Sequence, residues 1–313
     1  MQYRTLGSTG LKVSVVGLGT WQFGGEWGKD FEQPEVDALF RRGKELGVNL
    51  IDTAECYGDH ASERYIGKAL KNLGENREDW IIASKFGHHF VKPFERTEPR
   101  KPADIRQQTE DSLKALQIDY LDVHQYHSWG DDEFFDDDVL AELHKLKDEG
   151  KFRHLANSVG SNKNAKQVAA SKERGIEAIQ IIYNRLDTAP EDEVFGICQE
   201  QNLGVLARVP LASGYLSGKY EPGHTFDQGE VRGRWKGDDQ EEKLRQAQKI
   251  KEGEYASDVD PGKVSMATWA LAWVLKHPAV TCVIPGVKTV EQVESNAAAA
   301  DLEMVPRDHP QAV

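Results

Sequence analysis

The chain has 313 residues, 39% of them hydrophobic, enough for one large α/β barrel or two ordinary domains. Its 39 Lys and Arg face 52 Asp and Glu, and the formal charge of −13 argues against nucleic acid or an anionic membrane as partner. Three cysteines, Cys56, Cys198 and Cys282, lie far apart without CxxC spacing, so no disulfide framework or thiolate metal site is expected, and a reducing, cytoplasmic setting is.

The opening "MQYRTLGSTG" carries no apolar leader-like core, and no run of 18 apolar residues occurs, so no membrane span is expected. With its "GSTG" turn, the segment 1–14 reads as a β-hairpin ahead of the main fold. Short β-branched runs then recur: "VVGLGT" (15–20), "NLIDTA" (49–54), "WIIASK" (80–85) and "YLDVHQYH" (120–127). They continue with "FRHLANSV" (152–159), "AIQIIYN" (178–184), "GVLARVP" (204–210) and "CVIPGV" (282–287), eight in all. Amphipathic stretches separate them. "ASERYIGKALKNLG" sets Ile66, Leu70 and Leu73 on one face and stops at Gly74, a C-cap residue. "ADIRQQTEDSLKAL" does the same with Ile105, Thr109, Leu113 and Leu116.

Strands alternating with helices make a parallel sheet. Eight of them predict a closed (β/α)8 TIM barrel, which needs ~250 residues, over an open doubly wound sheet. The surplus falls in the hairpin and in an irregular insertion over 213–260, a long loop after strand 7. No repeat beyond the βα alternation and no linker interrupts the chain, so 1–313 reads as one domain.

Reactive groups of such barrels sit at the C-terminal strand ends. Those ends hold Thr20, Trp21, Asp52, Lys85, His127, Ser158, Tyr183 and Arg208, with Tyr57 in the loop after the second strand. A carboxylate such as Asp52 is costly to bury unless paired, and Lys85 is the natural partner. A lysine ammonium beside a phenol lowers its pKa, so Asp52 would anchor Lys85, Lys85 would tune Tyr57, and Tyr57 would hand over a proton. His127 would hydrogen-bond the oxygen that receives it.

The same residues carry a family resemblance. "IDTAECYG", "ASKFG" and "DYLDVHQYHSW" resemble the motifs that carry the catalytic aspartate, tyrosine, lysine and histidine of the aldo-keto reductases. The likeness runs from "RTLGSTGLKVSVVGLGTWQFGG" to "VIPGVKTVEQVESN", and "RVPLASGYLSGKY" is closer to the bacterial and plant branches. It implies a cytosolic (β/α)8 barrel that reduces an aldehyde or ketone, sugar-like ones included, with NADP(H), or with NAD(H), and no metal. Implied cofactor contacts are Gly19, Thr20, Trp21, Asp52, Ser158, Gln180, Arg208, Pro210, Leu211, Ser213, Gly214, Lys219, Gly286, Lys288, Thr289, Gln292 and Asn296. Two positions depart from the family pattern. Val159 stands where an asparagine is usual, and Arg208 where many members place an aromatic ring on the nicotinamide; a guanidinium can also lie on a ring or reach phosphates. Gln292 replaces an arginine often used for the 2′-phosphate, with Lys288 as partial substitute. A rival reading is a cofactor-sensing regulatory subunit similar to those of potassium channels, which keeps the same four catalytic residues and turns over slowly.

Other motifs have plainer readings. "GLG" at 17–19 lacks the third glycine of a dinucleotide fingerprint, since Gln22 holds that place. His124 and His127 alternate to opposite faces of a strand, so they form no zinc pair. "GHHF" (87–90) reads as a loop that lines a pocket or is merely solvated, over a metal clamp, "GDDEFFDDD" (130–138) as a solvated acidic turn before a helix, over a cation site, and Cys56 as a packed thiol. Trp21 and Phe86, each just past a strand end, are the expected substrate walls together with Tyr57 and His127. The loops 22–33, 86–99, 128–137 and 213–260 would set which carbonyl enters.

Overall fold

The computed structural model describes residues 1–235 and 239–313. All eight strands form: β1 (Leu18–Gly19), β2 (Leu50–Asp52), β3 (Ile81–Phe86), β4 (Leu121–His127), β5 (Phe152–Ser158), β6 (Ile176–Ile182), β7 (Gly204–Arg208) and β8 (Cys282–Val283). They lie side by side in chain order in one parallel sheet. The sheet closes on itself. Val16 and Gly19 bridge in parallel to Val283 and Gly286, and Gly17 and Gly19 donate their N–H groups to the carbonyls of Val283 and Pro285. A Cβ on Gly19 would lie 2.6 Å from the Ile284 carbonyl oxygen, so only glycine lets the first and last strands meet there.

Alternation along each strand divides the side chains between two cores. Leu50, Ile81, Ala83, Val123, Ala156, Ala178, Leu206 and Cys282 point inward and, with Leu6 and Val13 of the N-terminal hairpin, fill the bottom of the barrel. Ile51, Ile82, Tyr126, Leu155, Ile179 and Val205 point outward against the helices. The hairpin pairs Tyr3–Thr5 with Lys12–Ser14 and caps the barrel as expected. In the helix Ala61–Leu73, Ile66 and Leu70 are buried and Gly74 closes the C-terminus at φ 65°. In Pro102–Leu116, the stripe Ile105, Thr109, Leu113 and Leu116 is buried throughout. Asp136 accepts from the N–H groups of Asp138 and Val139 and starts the helix Asp137–Asp148, which gives the acidic turn its local role. Among the described residues, no helix is long and apolar enough to cross a membrane.

Three features differ from expectation. "GHHF" opens an antiparallel hairpin, His89–Lys92 with Glu95–Thr97, whose mostly exposed side chains hide the strand pattern. The insertion over 213–260, apart from 236–238 outside the described residues, is largely helical. Its helix Asp239–Ile250 buries Leu244, Ala247 and Ile250 in a satellite core with Tyr215, Phe226 and Trp269. Tyr183 is not a mouth residue. Its hydroxyl donates to Glu191 and its ring packs on Phe195, Trp273 and His277 on the helix side.

Candidate active site

One inward position above the apolar plug, every central strand turns polar. Asp52 follows Leu50 by two residues, Lys85 follows Ala83, Gln125 follows Val123, Ser158 follows Ala156, Gln180 follows Ala178 and Arg208 follows Leu206. Asp52, Lys85, Gln125, Ser158 and Gln180 satisfy one another. Asp52 accepts from Lys85 Nζ on Oδ2 (2.8 Å), and from Gln180 Nε2 (2.6 Å) and Gln125 Nε2 (3.3 Å) on Oδ1. The Lys85 ammonium also donates to the Thr53 carbonyl (2.8 Å) and to Tyr57 Oη (3.2 Å), so each of its N–H bonds has a partner. A carboxylate and an ammonium this deeply buried are tolerable only with such complete hydrogen bonding.

Tyr57 comes from the turn after β2, where the backbone of Gly58 runs against that of Gly24. A Cβ on Gly58, at φ 71°, would lie 2.8 Å from the Gly24 carbonyl oxygen, which fixes glycine there. The Trp21 ring stacks beside the phenol with centroids 6.0 Å apart, and the His127 ring meets it edge-on at 6.1 Å. Burial pushes the Tyr57 phenol up to about 12, with the Lys85 charge pulling it down but not cancelling the effect. The expected direction of the lysine's influence holds, but desolvation outweighs it. Burial works against the Lys85 charge too, yet Asp52 and Tyr57 reverse that and leave its pKa raised. Burial, then the Lys85 charge, the neighbouring His88 and the charges of Arg208 and Arg96, hold His127 well below the usual histidine range, so it is a neutral imidazole. Its Nδ1 lies 3.7 Å from Cys56 Sγ, a thiol that burial pushes up to about 11 and thereby keeps unreactive. His124 faces the other way, its Nε2 3.0 Å from Thr109 Oγ1.

A cavity of about 610 Å³ runs from this cluster to the loops after β7 and β8. Every cofactor contact expected from the sequence lines it except Ser158, which is buried and donates to Gln180 Oε1 at 3.4 Å. Trp21, Tyr57 and His127 line it as well. Phe86 does not: it lies in the outer core against His124, Tyr126 and Trp129. The cause is alternation, since Lys85 points inward and its neighbour must point out.

His88 lines the cavity, as a pocket-lining "GHHF" loop would, while Trp27, Arg96 and Arg232 on the wall, and Glu26 behind it, were placed by the sequence only within the loops that set specificity. The buried Glu26 carboxylate accepts from Trp21 Nε1 (2.9 Å), from the Phe94 N–H (2.6 Å) and from Arg96, while its carbonyl accepts from the Val231 N–H. One residue thus ties the loop after β1, the exposed hairpin and, through its backbone, the segment after β7 together. Partners so far apart in sequence leave no spacing signal.

The residues present fit a dinucleotide. Lys219, Arg232 and Lys288 share the cavity wall; burial first, then Arg232, Lys219 and Lys29, lower the Lys288 pKa against the pull of Glu230, as a site built for anions would. Gln22 Oε1, Arg208 Nε and Asn296 Nδ2 are buried without a protein partner, and all three residues line the cavity. A Cβ on Gly286 would sit 2.1 Å from Gln22 Nε2, so the bare glycine keeps the wall clear.

The chain is similar to known proteins over nearly its whole length. The NADH-specific methylglyoxal reductase of Escherichia coli K12 is 29% identical over 321 residues, covering 97% of this chain and 94% of the relative. The holo form of aldo-keto reductase AKR11C1 from Bacillus halodurans superposes with a TM-score of 0.79 at 27% identity, covering 99% of this chain and 94% of that one. An aldo-keto reductase from Klebsiella pneumoniae in complex with NADPH gives 0.70 at 25% identity, covering 96% and 90%. The sequence model of the Aldo/keto reductase family matches residues 15–312. The chain therefore belongs to the aldo/keto reductases, oxidoreductases that reduce carbonyl groups with a nicotinamide dinucleotide.

Proposed function

We propose that this protein is a cytoplasmic, one-domain reductase that converts an aldehyde or ketone, sugar-like ones included, to the alcohol with Tyr57 as general acid and NADPH as preferred cofactor. The observation that carries the reading is the chain Asp52–Lys85–Tyr57, 2.8 Å and 3.2 Å long, ending on the cavity wall. Tyr57 holds its proton at neutral pH, because burial raises its pKa to about 12. An alkoxide is a far stronger base than a phenolate, so that proton moves downhill once negative charge builds on the carbonyl oxygen. The phenolate left behind faces the Lys85 ammonium, whose charge Asp52 holds in place. His127, being neutral, offers one N–H to the same oxygen and fixes the carbonyl's orientation.

A nicotinamide dinucleotide bound along the cavity would supply the hydride that no side chain here can provide. Gln180, Asn296 and Gln22 would take its polar groups, and Lys219 and Lys288 its phosphates, Arg232 being held by Glu230. The Escherichia coli relative is named NADH-specific and the Klebsiella pneumoniae neighbour binds NADPH, so the choice rests on this chain's residues. Lys288 favours the extra phosphate; the neutral Gln292, whose Oε1 accepts from the Lys288 N–H, adds no charge. Wild type and Tyr57→Phe should be assayed for NADPH oxidation against aldehydes, ketones and aldoses. Turnover of one class by the wild type, lost in the variant, supports the reading. Tight cofactor binding with no turnover of any carbonyl would favour a sensor instead.

A further inference from the structure

We propose that Arg208 makes this site discriminate between cofactor redox states, holding the neutral dihydronicotinamide more tightly than the nicotinamide cation. The inference rests on the reading above, in which a nicotinamide ring lies beside Tyr57. Hydride transfer needs the donor carbon within ~3–3.5 Å of the carbonyl carbon that Tyr57 and His127 hold. The ring must therefore occupy the end of the cavity that Asp52, Tyr57, His127, Gln180 and Arg208 line together.

The charges around that end are unequal. Lys85 is neutralised by Asp52, and Arg96 by Glu26. Arg208 has no ion pair among the described residues: Nη2 donates to the Val159 carbonyl at 3.2 Å, and Nε is buried without a partner. The last inward residue of β7 is thus the cation of the polar ring that no carboxylate touches, although Asp52, already paired with Lys85, and Asp187 act on it from a distance. Its charge also bears on Tyr57 and His127. A guanidinium stays protonated under all working conditions.

Giving up a hydride leaves the donor ring with one more positive charge, while the substrate carbon gains the hydride and its oxygen gains the Tyr57 proton. A fixed cation a few ångströms away is indifferent to the neutral ring and repels the charged one. Arg208 would therefore weaken binding of the oxidised cofactor and hasten its departure after carbonyl reduction. It also faces the Tyr57 phenolate during the reaction, so binary complexes without substrate give the clean readout.

The test measures dissociation constants of NADPH, NADP⁺ and the ringless 2′-phospho-ADP-ribose by tryptophan fluorescence. The proteins are wild type, Arg208→Gln and Arg208→Lys, with circular dichroism to confirm folding. Wild type should prefer NADPH over NADP⁺. Arg208→Gln should shrink that ratio at least ~10-fold, about 1.4 kcal/mol, mainly through tighter NADP⁺. Arg208→Lys should keep most of the ratio, and the ringless analogue should bind all three proteins alike. Equal changes for both redox forms in Arg208→Gln overturn the proposal. So does a parallel loss for the ringless analogue, which would make Arg208 a phosphate contact. If wild type gains no affinity from the ring in either form, the placement of nicotinamide beside Tyr57 fails, and the proposal with it.

Discussion

Two layers of the barrel interior lie one inward position apart on the same strands and could hardly differ more. Below, Leu50, Ala83, Val123, Ala156, Ala178 and Leu206 form a dry plug. Above, Asp52, Lys85, Gln125, Ser158, Gln180 and Arg208 form a ring of charges and amides. The backbone treats both layers alike, so the chemistry is set entirely by side-chain type. The plug gains stability by leaving water. Apart from Arg208, the ring avoids the cost of burial by internal pairing, and that pairing fixes its geometry before any ligand arrives.

If the upper layer does the chemistry, its reactive end should be the most sensitive point. Tyr57→Phe keeps the ring system and removes only the proton donor. Carbonyl reduction should fall ~10²–10⁴-fold while cofactor affinity stays within a few-fold. A variant with more than about half the wild-type rate would take Tyr57 out of its role. The lower layer should answer differently. Leu50→Ala is expected to cost ~2–5 kcal/mol in urea unfolding, with kcat per folded molecule little changed. A kcat loss comparable to that of Tyr57→Phe would erase the distinction between the layers.

Both layers were legible in the sequence to unequal degrees. The eight strands stood out because β-branched runs alternated with helical stripes, and Asp52, Lys85 and His127 because they end those runs. Strict alternation also placed His124 and His127 on opposite faces. Applied to "ASKF", the same rule puts Phe86 outside the barrel once Lys85 is inside, whatever its place after the strand end. It does the same for Tyr183. Glu26 and Arg96 left no trace, because they meet only when separate loops fold together. The helix 239–250 carried a signal, Leu244, Ala247 and Ile250 at helical spacing, hidden among charged residues.

Beside the paired part of the ring sits a carboxylate with an unpaired oxygen. Glu55 is buried, one oxygen faces His89 at 2.9 Å, and Oε2 has no partner. Burial raises its pKa from 4.5 to about 7, against the pull of His89 and His60. The folded state then binds this proton more tightly than the unfolded chain. The contribution is present below pH ~4.5 and lost as pH rises toward ~7. Thermal stability should decline across that window, and Glu55→Gln should flatten the slope and gain most above pH 7. An identical slope in the variant would place the titration elsewhere.

The link between Lys85 and Tyr57 is testable by pH alone. Alcohol oxidation needs Tyr57 as a base, so its rate rises as the phenol ionises toward about 12. Lys85→Met removes the cation that lowers this value and leaves Asp52 without its main partner. The rising limb should move to higher pH by at least one unit, ~1.4 kcal/mol. Lys85→Arg should move it less. A limb that stays in place, whatever the loss in rate, would make Lys85 a structural prop.

The smallest expected effect lies at the far end of the cavity, where the buried ring gives way to partly solvated cations. Lys288 is half-buried, and its ammonium donates to the Trp27 carbonyl at 2.6 Å, which holds it in place with N–H bonds to spare. Gln292, four residues on, offers only a neutral amide whose oxygen is already committed to the Lys288 N–H. Glu291 lines the same cavity and opposes added negative charge. NADPH should therefore bind more tightly than NADH, but by no more than about fivefold, near the ~1 kcal/mol upper end of a solvent-accessible ion pair. Raising the salt concentration should narrow the gap, since solvent-exposed charges are screened. Lys288→Met should abolish the preference by weakening NADPH alone. Fluorescence titration of both cofactors decides the matter: equal affinities in the wild type, or tighter NADH, would remove Lys288 from the 2′-phosphate. A variant that loses both cofactors equally would move the residue to a phosphate they share.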